Sequence, residues 1–440
     1  MTMTTDPTAI VDRLRTYAAT GATRPLEWRL EQLRALRRLL TEHRDDITAA
    51  VHADLRRDPA DTWAVEVGAC VHEIDHFLAN LEEWLRPEQV TSETLSTLPE
   101  GTTASVQFDP LGTVLVIAPW NYPVRLLLVP VIGALAAGNN VVVKPSELAE
   151  ATSAVIARLV PLYFSPDVFA VVEGGVPETT ALLAQRFDHI FYTGNGMVGR
   201  IVLRAAAEHL TPATLELGGK SPVFVDRDVD LKVVAQRLAR VKWLNAGQTC
   251  VAPDYVLTDP ETSAALEREL AAALVELHGE DPAQSPTYPR IINERHFDRL
   301  VGLLDSGRTV TGGQHDRSDK FIAPTVLTEV KPDAPVMAEE IFGPILPIVH
   351  VADLDEAITF ITARDKPLAL YAFTGNEVTR ARLSTETSSG ALTFGQPVVH
   401  LRVPELPFGG VGESGYGNYH GRHSLVTFSH RKSKLDVPLG

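Results

Sequence analysis

Two side chains in this sequence have the chemistry for covalent catalysis at carbon. Cys250 closes the segment Asn245-Ala246-Gly247-Gln248-Thr249-Cys250, just past a helical stretch, and Glu216 lies in Leu215-Glu216-Leu217-Gly218-Gly219-Lys220-Ser221-Pro222. A thiol attacks well only when its pKa is lowered or a neighbouring base takes its proton. A carboxylate between apolar neighbours and two glycines, as Glu216 is, suggests a strand end where the backbone turns sharply. Taken alone, each segment also suits an ordinary buried cysteine or strand-end glutamate. Between the first strands and Glu216, Gly194-Asn195-Gly196-Met197-Val198-Gly199 follows an expected strand and opens an expected helix. In that context a GxGxxG loop brings backbone N–H groups and a helix N-terminus onto dinucleotide phosphates. The acid usually found about 20 residues beyond such a loop would be Glu216, which the second motif claims for other work.

Groups so far apart in sequence need a scaffold to meet. Leu30, Leu33, Leu36, Leu40, Ile47, Val51 and Leu55 recur at helical spacing, as do Trp63, Val67, Cys70, Ile74, Phe77, Leu81 and Trp84, with Pro87 ending the run. The second cysteine, Cys70, belongs to that stripe and reads as core packing. From residue 111 the pattern alternates. Short β-branched runs at 114–118, 141–143, 168–172 and 189–192 are separated by a helix ending at Gly138, a helix over 147–163 capped by Ser146, and a short helix after Pro177. Strands buried on both faces and joined by helices predict an α/β fold with a doubly wound parallel sheet. A second αβ region begins near Gly218, with strands at 223–225 and 255–257 and helices over 231–243 and 262–277. Residues 306–319 read as a surface loop. Residues 406–421 hold six glycines, so the backbone there turns tightly or approaches something closely.

Composition narrows the setting. The 440 residues carry 40 Lys+Arg against 56 Asp+Glu, a net charge of −16 spread along the chain. No basic stripe exists to neutralise phosphates, which disfavours a nucleic-acid partner. Two distant cysteines predict no disulfide framework and a reducing, cytoplasmic setting, and no metal-ligand cluster is expected. The polar first ten residues lack a signal-peptide core, and no apolar window approaches a membrane span, so a soluble protein without a membrane anchor is expected.

Further segments decide among the readings. Pro119-Trp120-Asn121-Tyr122-Pro123 closes one buried strand and Lys144-Pro145-Ser146-Glu147 the next. Glu340-Ile341-Phe342-Gly343-Pro344 and Pro407-Phe408-Gly409-Gly410 follow later. Together with the cysteine, glutamate and glycine motifs, these resemble the aldehyde dehydrogenase superfamily from about residue 25 to residue 432. Cys250-Val251-Ala252-Pro253-Asp254-Tyr255, Arg290-Ile291-Ile292-Asn293 and the glycine-rich segment leading into Tyr419-His420-Gly421 are similar to its class 3 branch.

The resemblance implies NAD(P)-dependent oxidation of an aldehyde to a carboxylic acid through a Cys250 thiohemiacetal and thioester. Cys250 would be the nucleophile and Glu216 the general base. The Asn121 amide, with the Cys250 N–H, would hold the oxyanion. NAD or NADP would be held by Lys144 and Glu147 at the adenosine ribose, by the loop from Gly194 to Gly199, and by Glu340 and Phe342 beside the nicotinamide ribose. The implied division is an NAD(P)-binding domain (residues 1–89 and 109–217), a catalytic domain (218–396), a small β bridging element (90–108 and 397–432) and a tail (433–440). The bridging element implies a homodimer. Tyr122, Arg125, His400 and Arg402 would lie on the substrate side, where Arg125 and Arg402 suggest an anionic aldehyde. Two features depart from the family pattern: Gly196 stands where a hydroxyl residue is usual, and Gly395 where an asparagine is. The rival readings are release of the acyl group by coenzyme A, and a non-catalytic binding protein that has kept the fold.

Overall fold

The computed structural model describes residues 6–439. Its larger sheets are both built mostly of parallel strands. One has the spatial order Gly415–Tyr416, Ala213–Glu216, His189–Thr193, Thr113–Ile117, Asn140–Lys144 and Phe169–Val171. All neighbours are parallel except Gly415–Tyr416, which pairs antiparallel with Leu215 and Glu216. Counting this sheet's strands in chain order, the first, Thr113–Ile117, lies between the second and the fourth, so the order reverses beside it. The crevice beyond the carboxyl ends of strands at such a reversal is where doubly wound sheets take ligands. Thr113–Ile117, Asn140–Lys144 and His189–Thr193 are buried along their whole length, which explains the consecutive apolar residues at their centres.

The other large sheet runs Arg308–Thr311, Thr325–Thr328, Ile345–His350, Tyr255–Thr258, Pro222–Val225, Ala369–Phe373 and Ala391–Phe394. Only its edge pair, Arg308–Thr311 with Thr325–Thr328, is antiparallel. A third sheet joins Glu88–Gln89, Thr103–Pro110 and Ser429–Asp436, with Ser429 opposite Pro110 and Asp436 opposite Thr103. Residues 433–436 therefore continue a strand. That strand is exposed from His430 onward and has one unpaired edge.

Helices Leu26–Glu42, Arg44–Leu55 and Gly68–Trp84 present the apolar stripes read from the sequence, and Cys70 is fully buried in that core. Helix Arg125–Ala136 is buried on all sides from Leu126 onward and packs against Gly421–Thr427. Gly133 permits that approach, because a Cβ there would collide with Ser424. Among the described residues no helix is long and apolar enough to cross a membrane, and no cluster of His, Cys, Asp or Glu is arranged to hold a metal.

Two expectations need correction. The helix expected over 147–163 begins only at Glu150, and Ser146 does not cap it. Its first N–H groups are capped from a distant helix: Asp54 accepts the Ala151 and Thr152 N–H groups at 3.0 and 2.9 Å. A tertiary cap leaves no mark at the helix's own N-terminus, and the delayed start leaves Glu147 in a turn beside Lys144. Residues 306–319, expected as loop, contain strand Arg308–Thr311 and residues His315–Asp316, which pair with Phe321–Ile322. Edge strands with polar exposed faces have loop-like composition.

Candidate active site

The segment leading to Cys250 is held in an uncommon backbone conformation. Asn245, Ala246 and Gly247 have φ of 53°, 51° and 72° in succession. For residues with a Cβ this left-handed region costs about 1–2 kcal/mol each, so surrounding contacts must enforce it. They do so through side-chain amides. Asn245 Nδ2 donates to the Asn121 and Gln248 carbonyls at 2.9 and 3.1 Å. Gln248 Nε2 donates to the Asn245 and Arg290 carbonyls, both at 3.0 Å, and its Oε1 accepts the Ile292 N–H at 3.0 Å. Trp243 Nε1 anchors the preceding turn on the Pro344 carbonyl at 2.8 Å. The outcome is a half-buried Cys250 whose backbone N–H has no hydrogen-bond partner elsewhere in the protein among the described residues.

Asn121 meets this loop directly. Its side-chain Nδ2 donates to the Gln248 carbonyl at 3.1 Å, and its second N–H has no protein acceptor among the described residues. The turn that carries it is clamped by a buried ion pair that sequence reasoning missed. Arg57 pairs with Glu66 and donates to the Asn121 carbonyl at 2.6 Å. Glu66 also accepts the backbone N–H groups of Val124 and Arg125, at 2.8 and 3.2 Å. The sequence did hold a signal: Glu66, Cys70, Glu73, Phe77 and Leu81 follow helical core spacing, so two acids sit on an apolar stripe. Arg57→Met should destabilise the protein by about 3–5 kcal/mol, because Glu66 is left charged and buried without its partner. Thermal and denaturant unfolding measure this, and a variant as stable as wild type would show that the pair clamps nothing.

Glu216 is buried at the end of strand Ala213–Glu216, and neither carboxylate oxygen has a hydrogen-bond partner among the described residues. Burial alone drives its pKa well above the ordinary carboxylate value. The Cys250 thiol is pushed up to about 12, first by burial and then by the nearby charges of Glu340 and Glu216, with Arg125 acting weakly in the opposite sense. Two acids and one guanidinium therefore act on the thiol, and the structure brings Cys250, Glu216 and Asn121 together.

The residues expected to hold a dinucleotide lie at the carboxyl ends of the first sheet's strands. Lys144 Nζ bonds to Glu147 Oε2 at 2.8 Å and to the Gly174 carbonyl at 3.0 Å. The Gly194 N–H bonds to the Glu216 carbonyl at 3.0 Å, tying the glycine loop to the strand that carries Glu216. Asn195 caps helix Gly196–Glu208 by accepting the Val198 N–H at 3.0 Å. A Cβ on Gly199 would lie 3.3 Å from the Leu217 side chain, so the glycine lets helix and strand pack closely. On the opposite side, Lys220 bonds to Asp254 at 2.5 Å and to the Val336 and Glu339 carbonyls, both at 2.9 Å. Asp254 accepts the Ile341 N–H at 3.0 Å. These bonds fix the turn that carries Glu340 and Phe342. The Glu340 carboxyl is pushed up to about 8, mainly by burial and then by Asp254. It lies so close to Gly218 that any side chain there would strike it. Phe342, at φ 49°, meets the edge of Trp120 at 5.5 Å. Lys242, also missed from the sequence, is fully buried nearby, with no partner for its Nζ among the described residues.

The four substrate-side candidates separate. Tyr122 is buried, bonds to Thr249 Oγ1 at 2.8 Å and stacks under the Arg57 guanidinium at 4.5 Å, so it braces the Cys250 loop. Arg125 is half-buried and bonds to the Leu401 carbonyl, and His400 lies between Tyr371 and Phe408. Arg402 is exposed and forms no ion pair among the described residues, so it is not drawn into this cluster. Gly395 has φ 77°, a conformation that glycine adopts freely and asparagine tolerates.

This arrangement can be compared with known proteins. The model of the aldehyde dehydrogenase family matches residues 5–434. Aldehyde dehydrogenase family 3 member A2 of Macaca fascicularis is 49% identical over 425 residues, covering 97% of this chain and 87% of that protein. The dimeric NADP-preferring aldehyde dehydrogenase of Mus musculus is 49% identical over 427 residues, covering 97% and 94%. A substrate-bound structure of Staphylococcus aureus AldH superimposes with a TM-score of 0.95 at 41% identity, covering 98% of this chain and 94% of that one. With a family match over nearly the full length and the same fold, this chain belongs to the aldehyde dehydrogenase family and is an NAD(P)-dependent enzyme of its family 3 type.

Proposed function

We propose that the chain oxidises an aldehyde to the free acid through a thioester on Cys250, with Glu216 as the base. The observation that carries this reading is the meeting of a half-buried thiol, an unpartnered buried carboxylate and a side-chain amide with a spare N–H, beside a doubly wound sheet's carboxyl ends. Among the described residues Glu216 has no hydrogen-bond partner, so it is free to exchange a proton with Cys250 or with a water. Ionised, it takes the Cys250 proton, and the thiolate adds to the aldehyde carbon. The oxyanion that forms is held by the Asn121 amide and the Cys250 N–H, two donors with capacity to spare.

The dinucleotide fits the residues present. Lys144, buried, and Glu147, exposed, form an ion pair suited to ribose hydroxyls. The Gly196 and Met197 N–H groups at the helix start bond to nothing in the protein among the described residues, which suits phosphate. Glu340 sits across from them on its braced turn and suits the second ribose. A dinucleotide held by these residues would supply the hydride acceptor that oxidation of the Cys250 adduct to a thioester requires. Glu216 then takes a proton from water, the water attacks the thioester, and Cys250 is released with the acid. Glu147 favours NAD over a 2′-phosphorylated cofactor by charge, although the mouse relative is named for NADP preference.

The test is a panel of aliphatic, aromatic and acid-bearing aldehydes with each cofactor, followed by absorbance of the reduced nicotinamide. Free acid is the expected product. Acyl-coenzyme A formed on adding coenzyme A would replace water as the acceptor, and no turnover of any aldehyde would overturn the reading. The same preparation should have the mass of a dimer in solution, given the open edge of strand Ser429–Asp436.

A further inference from the structure

Arg125, like the buried Lys242, is a cation near the Cys250 cluster with no acid beside it among the described residues. Arg57, Lys144, Lys220 and Arg290 each lie within 4.0 Å of a carboxylate. The half-buried Arg125 guanidinium has none within that distance among the described residues. It makes only two long bonds, to the Val65 carbonyl at 3.5 Å and the Leu401 carbonyl at 3.4 Å. The nearby acids are already engaged: Glu66 by Arg57 and two backbone N–H groups, Glu73 by the Gly421 N–H at 2.7 Å.

A relay of contacts links Arg125 to the residue after the thiol. Leu401, whose carbonyl it touches, follows His400. The His400 ring lies 6.3 Å from Tyr371 and 6.2 Å from Phe408. Tyr371 in turn donates to the carbonyl of Val251, the residue after Cys250, at 2.6 Å. His400 Nε2 is buried with no partner among the described residues, while Nδ1 lies 3.4 Å from Thr393 Oγ1. Burial, followed by repulsion from Arg125, pushes the His400 pKa down to about 4, so the ring is neutral and Arg125 supplies the charge.

We infer that the aldehyde oxidised at Cys250 carries a carboxylate, received by the Arg125 guanidinium with His400 Nε2 as a second donor. This rests on the oxidation proposed above. A guanidinium taken partly out of water regains its lost solvation through a fork of charge-assisted bonds to one carboxylate. One such cation matches one negative charge. A phosphate monoester would need a second cation, and Arg402 stands exposed outside the cluster.

The test compares pentanal and hexanal with the same chains bearing a terminal carboxylate, in wild type, Arg125→Leu and Arg125→Lys. The expected wild-type kcat/KM favours the acid-bearing chain. In Arg125→Leu the loss for the acid-bearing chain should exceed that for the neutral chain by about tenfold, through KM, with partial recovery in Arg125→Lys. A readout independent of turnover is alkylation of Cys250, since Cys70 is buried. The rate ratio of anionic iodoacetate to neutral iodoacetamide should fall in Arg125→Leu. Equal losses for both chains, or an unchanged alkylation ratio, would reduce Arg125 to a structural bridge. If Arg125→Leu does not fold, a wild-type preference for the neutral chain overturns the inference unaided. Turnover of both chains with no preference sinks only the carboxylate assignment, whereas turnover of neither sinks the oxidation as well.

Discussion

Cys250→Ala should lose aldehyde oxidation by at least about 10⁴-fold while still binding the dinucleotide, because the proposed acyl intermediate forms on its sulfur. The second thiol, Cys70, is fully buried in the helical core and cannot substitute. The loop around residue 250 should keep its shape in the variant. Its left-handed residues are held by the Asn245 and Gln248 amides and by Trp243, none of which touches the sulfur. Steady-state turnover and a direct titration with NAD or NADP separate the two effects. Turnover at the wild-type rate would remove Cys250 from the mechanism. Loss of dinucleotide binding would mean that the sulfur holds the site together rather than reacting.

Glu216→Gln should slow turnover by about 10²–10⁴-fold, the range for losing a positioned general base. The pH dependence gives a sharper test. Both the thiol and the carboxyl are raised in the resting site, Cys250 to about 12 and Glu216 well above its ordinary value, so wild-type kcat/KM should climb with pH as the pair gives up a proton. Glutamine cannot lose that proton, and the limb assigned to the carboxyl should vanish. Stability should move the other way. A carboxyl whose folded pKa is raised favours the folded state while protonated. That contribution is complete below the ordinary value of 4.5 and is lost as pH rises toward the folded value. The melting temperature of Glu216→Gln should therefore gain on wild type as pH is raised from 4.5 upward. An unchanged pH–rate profile would show that Glu216 is no base, and a stability difference independent of pH would show that it is already ionised in the fold.

The readable and unreadable parts of this molecule divide by the range over which the determining contacts act. Strand Thr113–Ile117 and helix Leu231–Lys242 follow from short-range periodicity, and their positions match the runs in the sequence within a residue or two. The start of helix Glu150–Tyr163 was misread because its cap, Asp54, lies about a hundred positions upstream. The strand inside 306–319 was misread because an edge strand needs only one buried face. Arg57 and Glu66 belong to no motif, and what makes them matter is a carbonyl at residue 121 that folding brings to them. Arg125 and Arg402 looked alike in sequence, yet one is half-buried beside the thiol's surroundings and the other is in solvent.

By itself the sequence determined the α/β architecture and the family. Each is written either in local periodicity or in contiguous motifs whose residue types their chemistry requires. Only the tertiary structure decided which cations are already matched by acids, which carboxylates are left without partners, and how far burial shifts the protons on Cys250, Glu216 and Glu340. Those quantities depend on solvent exclusion and on distances between segments remote in the chain, which no local pattern of residues encodes.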